Sequence, residues 1–130
     1  MKSRTNLAVL FAVILIIAVS CGDDCVTCID SSLIGGWILH SSGTEDQMQM
    51  LPDDTLTFNA NGTGTYRPEI GMAGPYDFTY RIRHDTLFQT VTAGQFEGAE
   101  YARKYELRAD SLYYIEESGS VPVYTVWLRK

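Results

Sequence analysis

The residues best suited to chemistry are three cysteines, two histidines, scattered acids and a set of tyrosines accompanied by an arginine. Cys25 and Cys28 stand in a C-x-x-C spacing. As a redox pair this spacing belongs before a helix in a βαβ unit, and no helical pattern follows it here. As metal ligands the two thiols make half of a zinc site, and His40 and His84 bring no companion spacing. Asn61-Gly62-Thr63-Gly64 sits between two strand patterns and opens no helix, so it is a turn and not a phosphate cradle. There is no G-x-S-x-G elbow and no convincing carboxylate pair. The residues therefore predict a protein that is not an enzyme, with no catalytic residues, no cofactor and no metal.

Cys21 is a different case. Lys2 and Arg4 precede thirteen uncharged apolar residues, Leu7 to Val19. A membrane-spanning helix takes about 20 such residues, so the run is short for an anchor and suited to a secretory signal. It ends in Ala18-Val19-Ser20-Cys21, which resembles the lipobox of bacterial lipoproteins, with Ala18 where leucine is commoner. The resemblance implies that the Cys21 thiol takes a diacylglycerol and that cleavage leaves Cys21 as the first residue. Palmitate-type acyl chains, at about 0.8 kcal/mol per buried methylene, then hold the chain on a membrane. Gly22-Asp23-Asp24 is similar to the surface-export signals of some Gram-negative lipoproteins, which implies an outer-membrane lipoprotein at the periplasmic face or the cell surface. An exported chain meets an oxidising compartment, so a local Cys25–Cys28 disulfide is the simplest expectation, with free thiols or a metal pair as alternatives.

The whole chain of 130 residues carries a formal charge of −6. Losing residues 1–20 removes Lys2 and Arg4 and no acid, which moves the charge to −8. No basic run is longer than a pair such as Arg103-Lys104, so a nucleic-acid partner is not expected. Apolar residues make up 45% of the chain and aromatics 12%, enough for one packed domain rich in strands. The expected organisation is a signal peptide (1–20), a lipidated tether (21–32) and one domain (33–130).

Within the domain the pattern has period two, with turn residues at short intervals. Eight strands are expected. The first opens at Gly35-Gly36-Trp37 and runs to His40. The next covers Thr55 to Phe58, and after Asn59-Ala60-Asn61-Gly62 another covers Thr63 to Arg67. Phe78, Tyr80 and Ile82 form one face of a fourth strand, and Thr86 to Val91 a fifth. Glu100–Arg108, Ser111–Glu116 and Val121–Leu128 complete the set. Tight turns at 59–62, 84–85 and 109–110 alternate with long connections at 41–54, 68–75, 92–99 and 117–120. In an all-β, eight-stranded antiparallel up-and-down β-barrel these two sets lie at opposite ends, giving a closed end and a loop-rich mouth.

The G-x-W of Gly35-Gly36-Trp37, the segment Thr57 to Tyr66, Asp110-Ser111-Leu112 and the closing Tyr124-Thr125-Val126-Trp127-Leu128-Arg129 resemble the lipocalin-like domain of Gram-negative lipoproteins. The resemblance implies that Trp37 closes the bottom of the barrel and that Arg129 packs over it. It also implies binding rather than catalysis. By alternation Tyr76 joins Phe78 on the inner face, and Tyr101 and Arg103 lie inward near the mouth, with Tyr66 and Tyr124 beside them. Met48, Met72 and Phe96 supply adaptable apolar groups from the loops. Such a set suits a small hydrophobic or amphipathic ligand with an anionic head. The alternative is a barrel filled by its own side chains that uses its loops on a protein partner, as an envelope component or an inhibitor of a protease.

Overall fold

The computed structural model describes residues 29–71 and 74–130. Cys21, Cys25, Cys28 and Met72 lie outside the described residues, as do the signal peptide and most of the tether.

Among the described residues, nine strands form one antiparallel sheet: β1 (Gly35–Thr44), β2 (Gln47–Met50), β3 (Thr55–Phe58), β4 (Thr63–Arg67), β5 (Tyr76–Arg83), β6 (Thr86–Gly94), β7 (Glu100–Arg108), β8 (Ser111–Glu116) and β9 (Val123–Arg129). Neighbours in sequence pair in order from β3 to β9, and β1 pairs with both β3 and β9, so eight strands close a ring. The expected up-and-down barrel is therefore present, without helices among the described residues. The short turns share one end, where His84 (φ 55°) and Ala109 (φ 50°) take the left-handed conformation. A side chain there costs about 1–2 kcal/mol, so a tight reversal is being held by the pairing on either side.

Several boundaries differ from the sequence reading, β6 running on to Gly94 among them. The connection 41–54 was expected as a loop, yet β1 continues to Thr44 and folds back as β2, with Gly43 opposite Met48. The last strand begins at Val123 and not at Val121, because Pro122 has no amide to give the ladder. His40, the expected last residue of the first strand, does not end it. It occupies a bulge in the middle of β1, where the register with β9 slips between Leu39 and Ser41.

Inward side chains of the lower barrel form the core, with Leu33, Trp37, Phe58, Phe78, Leu87 and Leu112 among the most buried. Phe78 packs edge-on against Phe58 at 5.6 Å. It lies over Gly64, where a Cβ would collide with its ring, so the glycine is needed for that approach. Residues before β1 cover the closed end. Trp37 Nε1 donates to the Leu33 carbonyl at 2.9 Å, and the Tyr105 hydroxyl donates to Asp30 at 3.2 Å.

Candidate binding cavity

Above this core the barrel is not filled. A cavity of about 720 Å³, open to solvent, is lined by Leu39, Leu56, Tyr66, Tyr76, Tyr114 and Trp127, together with Phe96, Tyr101, Arg103 and Thr125. Its side opening has a simple origin. The β7–β8 ladder ends at the Lys104–Ile115 pair, so Glu100 to Arg103 have no partner on that side among the described residues. Lys104 bridges the gap below, holding Glu117 at 3.1 Å.

One wall is an aromatic stack. Tyr66 and Tyr76, paired across β4 and β5, lie 4.8 Å apart, and Phe96 meets Tyr76 edge-on at 6.5 Å. The Tyr66 hydroxyl donates to Asp54, which is buried and also accepts the Glu69 amide at 3.0 Å. Burial, then that hydrogen bond, hold the Tyr66 phenol above its ordinary range. Burial also raises Tyr76 and Tyr114, and the Arg103 charge partly offsets both shifts. At neutral pH these phenols therefore remain hydrogen-bond donors.

Arg103 stands on the opposite wall, its guanidinium carbon 5.0 Å from the Tyr101 ring centre and 5.4 Å from that of Tyr114. Tyr114 in turn meets Trp127 edge-on at 6.0 Å. The Tyr114 hydroxyl and Trp127 Nε1 are buried with no hydrogen-bond partner among the described residues. The Gln89 amide, on the inner face of β6, is in the same condition.

The sequence-based site is thus brought together in part. Tyr66, Tyr76, Phe96, Tyr101 and Arg103 line one cavity. Phe78 does not, because it is buried in the core beneath the cavity as packing. Tyr124 is turned away: it pairs with Ile115 and Gly43 and meets Tyr113 edge-on at 6.3 Å on the outer surface. Met48 shares that outer face, since it pairs with Gly43 on β2, and it is exposed. Asp54, Tyr114, Thr125 and Trp127 were not singled out from the sequence. At the closed end, Arg129 lies over the Trp37 ring at 4.2 Å.

Among solved structures, the barrel is similar to a lipocalin-like protein from Bacteroides uniformis ATCC 8492, with a TM-score of 0.58 and 14% identity. The fold is lipocalin-like. The likeness covers 75% of this chain and 98% of that one. No family model matches the chain, and no curated protein matches it. Among the described residues of the lipocalin-like barrel, no group of three or more His, Cys, Asp or Glu side chains is placed to hold a metal ion.

Proposed function

We propose that this chain is a membrane-anchored lipoprotein of the outer membrane, facing the periplasm or the cell surface, whose barrel binds a small hydrophobic or amphipathic ligand. The observation that carries this reading is the open cavity of about 720 Å³ with its tyrosine-rich wall. Pockets for small molecules typically run from about 300 to 1,000 Å³, and this one falls in that range, with aromatic and polar groups sharing its lining. The reading needs no catalysis, only capture and release.

The test is native mass spectrometry of the chain purified from its own host. A co-purifying small molecule that leaves on mild activation, and that competes with a fluorescent amphiphile for the barrel, is the expected result. An empty barrel that also takes up no amphiphile would sink the reading. A protein-interaction role is the second reading, favoured by Met50, which is 71% exposed on the outer face of β2 near exposed Met48.

A further inference from the structure

Resting on that reading, we infer that the cavity takes an anionic amphiphile head-first, its oxyanion received by Arg103, Tyr114 and Trp127 and its apolar body lying against Tyr66, Tyr76 and Phe96. Three donor-bearing side chains follow one another there. Arg103 lies over the Tyr114 ring, and Tyr114 lies against Trp127. A guanidinium and an indole N–H can only donate, and a neutral phenol donates as well. The buried Tyr114 hydroxyl and Trp127 Nε1 have no protein acceptor among the described residues, and both residues line the cavity.

The carboxylates that could have served are engaged elsewhere. Asp54 accepts the Tyr66 hydroxyl and the Glu69 amide, Glu117 accepts Lys104, and Glu116 accepts the Ser118 hydroxyl at 3.2 Å. Arg103 makes no ion pair or hydrogen bond among the described residues, only its two ring contacts. Unpaired donors in a partly buried site are costly, and a cation beside them costs more. A ligand oxyanion supplies lone pairs to all three, which a hydroxyl or an apolar group does not. Tyr114 and Trp127 are buried whereas Phe96 is exposed, so the head lies deeper than the far end of the body.

Octanoate and octan-1-ol share a chain and differ in the head, so they make the probe pair. The full-length chain is carried in phospholipid nanodiscs, with empty discs as the partition control. Indole fluorescence gives the affinities, and 15N-tryptophan labelling follows the two indole N–H groups. Octanoate is expected to bind at least roughly tenfold more tightly than octan-1-ol, the size of a charged hydrogen-bond set. Arg103→Gln should remove that preference while leaving octan-1-ol binding in place, and Tyr114→Phe should reduce it with the ring retained. The Trp127 Nε1–H resonance should move with octanoate, whereas that of Trp37, already bonded to Leu33, stays. Equal affinity for the two probes, a preference that survives Arg103→Gln, or an unmoved Trp127 resonance overturns the head-first arrangement and leaves ligand binding standing. Binding of neither probe overturns the ligand reading itself, and the head-first arrangement with it.

Discussion

Arg129 lies with its guanidinium carbon 4.2 Å from the centre of the Trp37 ring, and the two residues are paired across β1 and β9, the strands whose meeting closes the ring. The same guanidinium donates to the Ser32 carbonyl at 2.6 Å and the Ile34 carbonyl at 3.2 Å. One side chain thus holds the closing seam and the segment that caps the bottom. Arg129→Ala should destabilise the barrel by about 1–2 kcal/mol, from the lost cation–π contact and two hydrogen bonds at a partly solvated site. Arg129→Lys should recover little, because an ammonium cannot stack flat and reach both carbonyls. Urea unfolding of the three proteins checks this, and a full rescue by lysine would contradict it.

Gly64 and Phe78 form a second coupled pair. A methyl group on Gly64 would overlap the Phe78 ring and come within 2.5 Å of the Thr57 carbonyl. Gly64→Ala is expected to cost about 1–3 kcal/mol as an overpacked core position. Phe78→Leu gives the ring's space back, so the double variant should lose less than the sum of the single losses. A thermal-denaturation cycle measures that coupling, and additive losses would argue against a steric cause.

The tyrosines make stability sensitive to alkali. Burial, with Asp54 or Asp30 beside two of them, holds Tyr66, Tyr105 and Tyr114 above the ordinary tyrosine value of about 10. A raised folded-state value means the fold keeps these protons more tightly than the unfolded chain does. Their contribution is therefore whole below about pH 10 and is lost as pH rises through the folded-state values. The urea midpoint should fall from about pH 10 upward, with the tyrosinate absorbance of these residues arriving as the strand circular dichroism disappears. Ionisation of all tyrosines in a still-folded barrel would refute this.

Cys21→Ala should move the protein from the membrane fraction to the soluble fraction of its host. That substitution removes the acceptor for the acyl chains, each worth about 0.8 kcal/mol per buried methylene. Fractionation with immunodetection reads the outcome, and undiminished membrane retention would end the lipoprotein assignment.

The order of strands, the two-residue reversals and the separation of tight turns from long connections followed from period and turn chemistry alone. Those features are local: alternation names a strand, and a short reversal forces its neighbours together. What alternation does not name is which face looks inward when both are apolar. In β9 one face carries Tyr124, Val126 and Leu128, and the other Val123, Thr125, Trp127 and Arg129. The pairing of Trp127 with Leu39 and of Arg129 with Trp37 turns the second set inward. An inward Arg129 implies an outward Tyr124 by the same alternation.

The bulge at His40 acts in the same way. It resets the faces of β1 beyond Leu39, so Ser42 meets Thr125 inside at 3.3 Å while Gly43, and with it Met48, faces out. The cavity was likewise a tertiary outcome, since its side opening depends on where the β7–β8 ladder stops. Strands and turns were legible because each depends on residues close along the chain. The inward face of β9, the displaced Met48 and the open upper barrel depend on register between distant strands, where a one-residue slip exchanges inside for outside.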